Sequence, residues 1–353
     1  MKEYKVYTIQ EGDTLKSIAD RLQIKVEDLI TFHNAHSNFL LVDDAVGLSA
    51  LREIFIPSDL ESFRRQHTSN RCPLYYGSVD LSCENIIVEE STEMVLKKQK
   101  MVQTCIVRRY SVKQEETDGY AICIVDAGDF IKRQISPIYK PLAETVSFLG
   151  RPLDHLVLGI NPDGSIVKVV NQKEVAEQWQ SLKQTEEARA LLMDKTIGEN
   201  VEHAMDADYS QTLNVINETL RYRLLCPDFF GENFLSERKK RQTTLQLTSN
   251  FFTSKKISFD LEERCECSQD KNTLYIMQRY QARHEMQEEL SMLYNSTIRD
   301  YLQIPLAYNM EINCKFTIPL YNMQIHEVEC AVNESLNELS SYINNIHIIY
   351  HHE

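Results

Sequence analysis

The residues whose types could do chemistry are few, and their spacing sets them apart. His326, Glu329 and Cys330 gather a base, an acid and a thiol in one short segment. A cysteine nucleophile needs its base within hydrogen-bond reach of the sulfur. On a passage from strand to helix these three side chains need not converge, and the local signatures of cysteine nucleophiles are missing. A surface cluster is the plainer reading. Glu89-Glu90 and Glu115-Glu116 are carboxylate pairs, which serve glycoside hydrolysis only when the two groups oppose each other across a cleft. As neighbours on a strand they point to opposite faces. Cys265 and Cys267 share one face of a strand and could chelate a soft metal, but no second Cys or His pair lies nearby to complete a tetrahedral set. Two buried or half-buried thiols are the plainer reading there. Gly159-x4-Gly164 has a phosphate-loop spacing without the lysine, and a β-rich run stands where a helix must start. His351-His352 at the tail could take up a stray metal, in a place where chains are usually loose. No His-Glu-x-x-His, Gly-x-Ser-x-Gly or Cys-x-x-Cys pattern is present, so neither a zinc nor a serine hydrolase is supported. The expectation is a non-enzymatic protein with no catalytic residue, no metal and no cofactor.

Charge and composition narrow the partners. The 353 residues carry 38 Lys and Arg against 52 Asp and Glu, a net charge of −14. That surplus repels phosphate backbones and anionic headgroups, so nucleic acid is not an expected partner. Glycine, the residue that phosphate-cradling loops consume, occurs only 10 times, under half its usual share of about 7%. The longest apolar runs, such as Ala121 to Val125, fall far short of the ~18 residues of a spanning helix. The opening segment has no apolar stretch of the export type. Nine cysteines, an odd number, are scattered along the chain rather than packed into a disulfide framework, which suits reduced thiols in a reducing compartment. The expectation is a soluble protein with no membrane span, cytoplasmic at synthesis. Among the aromatics, which include 17 tyrosines, Tyr75-Tyr76 and Phe229-Phe230 are local pairs on which a sugar could stack. Trp179, the only tryptophan, lies on a helical apolar stripe and reads as core.

These residues have to be positioned by elements, and the first of those are the best defined. Tyr4 to Ile9 alternates apolar and polar as a short strand does, and Gln10 to Thr14 supplies a turn and a helix cap. Leu15, Ile18, Ala19 and Leu22 then fall at i, i+3, i+4 and i+7, one apolar stripe, with Lys16, Ser17, Asp20 and Arg21 towards water. Gln23-Ile24-Lys25 breaks the pattern, a second helix is predicted from Val26 to about Phe32 with Leu29 and Ile30 inward, and Leu51 to Pro57 reads as a closing strand. The order is strand, helix, helix, strand. Asp13 and Thr14 are read first as caps of the helix.

This segment resembles the lysin motif (LysM) family, whose modules begin Tyr-Thr-Val-x-x-Gly-Asp-Thr-Leu, carry an Asn after the second helix and finish on Ile-Pro. The matching residues are Tyr7-Thr8-Ile9-Gln10-Glu11-Gly12-Asp13-Thr14-Leu15, Ser17-Ile18-Ala19, Asn34 and Ile56-Pro57. The resemblance implies binding of N-acetylglucosamine-containing glycan, peptidoglycan or chitin, in a shallow groove. Gly12, Asp13, Thr14 and Leu15 would form one lip of it, with Asn34 beside the other. The connection from Ala35 to Phe55 is longer than the family's and lacks its Pro-Gly-Gln turn, which implies a covered or rebuilt groove. Within it the apolar run Phe39, Leu40, Leu41 and Val42 could pack on the rest of the chain or dock a partner protein.

The remainder matches no family pattern. A polar linker at 58–73 leads to a region at 74–353 with strands expected at Ser78 to Val88, Glu93 to Lys98, Val102 to Tyr110 and Tyr120 to Val125. A helix within Ser136 to Phe148 and a hairpin from Leu156 to Val170 follow, then helical patterning over Lys173 to Leu235. Strands return at Thr243 to Phe252, Lys256 to Glu266 and Leu274 to Tyr280, with a helix near Met286 to Leu302, a strand at Ile312 to Pro319 and a final helix near Val328 to Asn344. The class is α+β: an N-terminal βααβ module at 1–57, then antiparallel sheets and helices. The sheet-rich stretches 74–170 and 243–325, around the helical stretch 173–235, are either two halves of one large sheet or two similar subdomains.

Together these readings point to a LysM-containing binding protein that recognises peptidoglycan-type glycan, acts as an adaptor or structural component of a bacterial contractile injection assembly (type VI secretion or phage-tail-like), or does both. The alternative is an exported, cell-wall-associated glycan-binding protein or peptidoglycan hydrolase. LysM modules usually work where glycan resides. An unexported chain with many thiols would meet peptidoglycan on assembly or delivery.

Overall fold

The computed structural model describes residues 4–10, 12–24, 26–37, 51–60, 63, 80–117, 120–161, 165–192, 198–227, 239–253, 255–268, 272–283 and 287–352. The chain divides into two compact units, Met1–Arg71 and Cys72–Glu353.

The first unit is strand β1 (Tyr4–Thr8), helix α1 (Leu15–Leu22), helix α2 (Val26–His36) and strand β2 (Glu53–Pro57). The strands pair antiparallel, from Tyr4 opposite Pro57 to Thr8 opposite Glu53. The α1 stripe, Leu15, Ile18, Ala19 and Leu22, closes with Leu29, Ile54 and Ile56 into one small core. Each fully buried Leu or Ile there stabilises by roughly 1.5–3 kcal/mol. Gln23 ends α1 in the left-handed region (φ 53°), its N–H bonding back to the Ala19 and Asp20 carbonyls. Helix α2 runs a turn past the Phe32 end read from the sequence, so Asn34 sits inside its last turn rather than after it. Aromatic contacts hold that turn: Phe32 stacks on His36 at 4.3 Å and meets Phe63 edge-on at 5.3 Å. Buried His33 accepts the Phe55 N–H at Nδ1 (3.1 Å), tying the helix to β2.

In the second unit, strands β3 (Cys83–Leu96), β4 (Gln99–Thr117), β5 (Tyr120–Ile135), β6 (His155–Ile160) and β7 (Ile166–Val169) form one antiparallel meander. Strands β8 (Lys239–Thr248), β9 (Lys256–Cys267), β10 (Thr273–Ala282), β11 (Asn309–Pro319), β12 (Glu327–Asn337) and β13 (Ser340–Tyr350) form another. The first and last strands of the unit join them, Ser341 opposite Val95 through Tyr350 opposite Ile86. The result is one sheet of 11 strands in the order β7-β6-β5-β4-β3-β13-β12-β11-β10-β9-β8. The two strand-rich stretches are therefore arms of a single sheet.

Helix α3 (Lys140–Leu149) follows β5. Helices α4 (Gln172–Lys183), α5 (Glu186–Leu192), α6 (Gly198–Ser210), α7 (Thr212–Glu218) and α8 (Leu220–Leu225) connect β7 to β8, the sheet's two edges. Helix α7 touches both edge strands, so the sheet curls and brings its two edges to one helix. Every strand contributes to one core within the curl, which also takes Val175, Trp179, Ile216 and Leu224 from the helices. Helices α9 (Gln287–Thr297) and α10 (Arg299–Leu302) precede β11.

The final helix expected over Val328 to Asn344 is instead β12 and the start of β13. Val328, Cys330, Val332, Glu334 and Leu336 are all buried in strict alternation. A buried glutamate among them disguised the period of two. Likewise Cys83 to Val88 and Glu93 to Leu96, expected on two strands, belong to one, β3, which ends at a turn where Lys97 and Lys98 have positive φ.

Within β3, Glu89 faces out, while Glu90 faces in and pairs with Arg221 of α8 and the Asn344 amide (3.0 Å). Burial works against the Glu90 carboxylate, but the Arg221 guanidinium prevails and holds the group below its usual range. Removing one partner leaves the other charge inside the curl. We expect Glu90→Ala to lower the stability of the second unit by about 3 kcal/mol, read by urea denaturation, with Glu89→Ala within about 0.5 kcal/mol of wild type.

Candidate functional site

The loop between β1 and α1 is the site that the sequence nominates. Gly12 turns the chain at φ +85°, a backbone state L residues rarely adopt, and open space surrounds the position of its missing Cβ. The chain then enters α1 through Thr14, in extended conformation. The Thr14 hydroxyl accepts the Ser17 N–H (3.0 Å) and the Ser17 hydroxyl accepts the Thr14 N–H (2.8 Å), a reciprocal capping box. Thr14→Ala should cost the module about 1 kcal/mol, seen as roughly fivefold faster hydrogen exchange in α1 with no change in the second unit.

Asp13 does not share the capping task assigned to it with Thr14. Its Oδ2 accepts the Gln10 N–H (2.9 Å) and the Tyr7 hydroxyl (2.8 Å), while Oδ1 takes the Arg21 guanidinium (2.9 Å). Arg21 also bonds the Tyr7 hydroxyl. Arg21 was expected to face water, and its side chain is 53% exposed, yet its tip folds back to brace the loop. Only 5% of the Asp13 side chain is accessible, so this carboxylate shapes the lip and offers a ligand little. Leu15 is likewise committed, buried in the module core. Gln10, Gly12 and Thr14 are the exposed parts of the lip.

The Gln10 N–H, and after it the Tyr7 hydroxyl, hold the Asp13 carboxyl below its usual range. A pKa depressed by folding stabilises the fold above the unfolded value, about 3.9 for Asp, and that contribution is lost as pH falls through the folded value. Protection of the module amides should therefore weaken as pH drops below about 4, and Asp13→Asn should flatten that dependence.

Asn34, on the last turn of α2, is half-buried. The run Phe39, Leu40, Leu41 and Val42 lies outside the described residues, as does residues 38–50 of the connection that carries it. Of the residues read as the lip, Gly12, Asp13 and Thr14 thus form the loop, and Leu15 opens α1 from the core side.

The other candidate chemistry disperses. Glu329 faces outward to Lys315 (3.3 Å), Cys330 faces the core, and the His326 backbone bonds Thr317 and Tyr350. These residues lie before and on a strand, not at a helix start, and the alternation separates acid from thiol. Glu89 meets the Cys105 thiol outside the curl, and Glu115 pairs with Lys113 (2.6 Å). Cys265 is a buried thiol outside any disulfide and Cys267 is disulfide-bonded, which departs from the expectation of thiols throughout. Trp179 is core, with its Nε1–H on Asp206 (2.7 Å). Tyr75, Tyr76, Phe229 and Phe230 lie outside the described residues. Among the described residues no three His, Cys, Asp or Glu side chains gather as a metal site, and no helix is long and apolar enough to cross a membrane.

One surface escaped the sequence reading. Ile138, in the 3-10 turn Pro137–Tyr139 just before α3, and Leu142 and Val146 on α3 itself fall at i, i+4 and i+8 and are 80%, 61% and 61% exposed. The same periodicity that marks a core stripe here faces water, so spacing alone could not distinguish them.

Residues 7–43 match the family model for the LysM domain. No curated protein matches the chain significantly. Among solved structures the chain is similar to one described as lipid-protein interactions in lipovitellin, with 7% sequence identity and a TM-score of 0.43. That likeness covers 79% of this chain and 26% of the other, so the chain spans about a quarter of that protein's length.

Proposed function

We propose that this chain is a non-enzymatic binding protein whose LysM domain takes peptidoglycan-type glycan at the Gln10 to Thr14 lip. The observation that carries this reading is the braced loop itself: Asp13, Tyr7 and Arg21 fix its shape while Gln10, Gly12 and Thr14 stay open. A sugar presents hydroxyl and acetamido groups to be matched by backbone N–H and C=O. A loop held rigid beforehand loses less entropy on binding them. Sedimentation with insoluble peptidoglycan tests it. Wild type should co-sediment, and Gly12→Arg, which fills the open space at the lip, should reduce recovery at least tenfold. Equal recovery of a folded Gly12→Arg protein would sink the reading.

A second reading, which the exposed α3 stripe favours, gives the larger unit a role in protein contacts as an adaptor or structural component of an injection assembly. On this reading the chain is cytoplasmic at synthesis and meets glycan on delivery. Exposed apolar groups in register on one helix face are a usual mark of an interface. Leu142→Glu with Val146→Glu should abolish co-purification of a large partner and leave melting within about 2 °C of wild type. Retained co-purification would count against it.

A further inference from the structure

Cys314 on β11 and Cys330 on β12 stand directly opposite each other in the sheet register. Their Sγ atoms are 3.0 Å apart, both side chains are buried, and neither is in a disulfide. Directly opposite residues of antiparallel strands have Cα separations of about 4.5–5.5 Å, inside the range of about 4.4–6.8 Å that a disulfide spans. The sulfurs therefore need to approach by about 1 Å to reach the bonded distance near 2.05 Å, without a shift of register. Ile312 and Phe316 on one strand, and Val328 and Val332 on the other, flank the pair on the same buried face and fix that register.

We propose that Cys314 and Cys330 are an oxidation site: a cross-strand thiol pair, open under reducing conditions, that closes to a disulfide on exposure to a peroxide. One thiolate attacks the peroxide oxygen, giving a sulfenic acid and one water. The second thiol then displaces the hydroxyl as a second water and the S–S bond forms. Overall two thiols and one hydrogen peroxide give one disulfide and two waters; the sulfurs are oxidised by two electrons and the peroxide is reduced by two. The closed staple spans the β11–β12 connection. That connection is held at Leu320, whose N–H bonds Asn272 (2.8 Å), and at Met323, whose carbonyl accepts the Asp80 N–H (3.2 Å). Cross-linking the segment between the two cysteines restricts the unfolded chain and raises stability.

The other thiols act as controls. Cys226 also contacts a thiol, that of Cys123, but across the end of a helix and a strand, without a ladder to align them. Cys105 is half-buried on the outer face beside Glu89.

The test uses the full chain, treated with hydrogen peroxide, denatured, alkylated and digested without reductant. A linked peptide pair containing Cys314 and Cys330, about two mass units lighter than the sum of its reduced halves and released by a thiol reductant, is expected. Melting of the oxidised protein should rise by about 5–10 °C. Cys314→Ser should remove both the linked pair and the rise. If that variant fails to fold, the wild-type peptide map decides alone. Full alkylation of both thiols after Cys105 has been oxidised, or a link from Cys314 to another cysteine, would overturn the proposal. A linked pair that melts no higher than the reduced protein would overturn its stabilising role.

Discussion

Replacing Ile18 with alanine is expected to unfold the LysM domain while the second unit stays intact. Ile18 is wholly inaccessible and belongs to a small core, seven buried residues among those described. Losing its side chain removes burial and leaves a cavity, about 2–5 kcal/mol for such a truncation. A unit this small buries a low share of its surface and has little stability in reserve. Hydrogen exchange should show α1 and α2 amides losing protection by two orders of magnitude or more, with β3 to β13 unchanged. Co-sedimentation with peptidoglycan should fall with them. Protection retained in α1 would mean that the module is held by something other than its own core.

The second large effect is expected at Glu334 in the sheet. This carboxylate is fully buried and no cation faces it among its bonded partners. It accepts from the Ser249 hydroxyl, the Asn250 N–H (2.9 Å), the Asn250 amide (3.0 Å) and the Tyr308 hydroxyl (2.9 Å). Four donors take the place of water, and they tie the turn after β8 and the approach to β11 onto β12. Truncation to alanine strands those donors in the core, so Glu334→Ala should cost about 3–5 kcal/mol in urea unfolding of the second unit. Glu334→Gln, which keeps the shape and one acceptor, should cost less than half as much. Equal costs would show that the retained shape and single acceptor contribute nothing there, and that both carboxylate oxygens are needed.

How much of this was legible depended on whether a residue's partners lay nearby in sequence. The α1 stripe, the Thr14 cap and the Ile56-Pro57 finish involve neighbours, and the βααβ order follows from them. The Asp13 role did not, because its partners, Tyr7 and Arg21, lie on two different elements. In the larger unit, period-two alternation exposed most strands, and it failed where a polar residue sat on the inner face. Glu90 and Glu334 broke the apparent pattern of β3 and β12, and each is made tolerable inside by a distant donor, Arg221 in one case and Ser249, Asn250 and Tyr308 in the other. The pairing of β3 with β13, which unites the two arms, joins segments from opposite ends of the unit and leaves no local trace. Solvent exposure of Ile138, Leu142 and Val146 is equally a tertiary fact.

The β1–α1 lip is the proposed glycan surface. The direct measurement is a nuclear magnetic resonance titration of the full chain with soluble peptidoglycan fragments, following backbone amides. The prediction is saturable shifts confined to Gln10, Gly12, Thr14 and the adjoining turns of α1 and α2, absent in Gly12→Arg. Saturable shifts centred in the 11-stranded sheet, or none anywhere at fragment concentrations that saturate an established LysM domain, would contradict it.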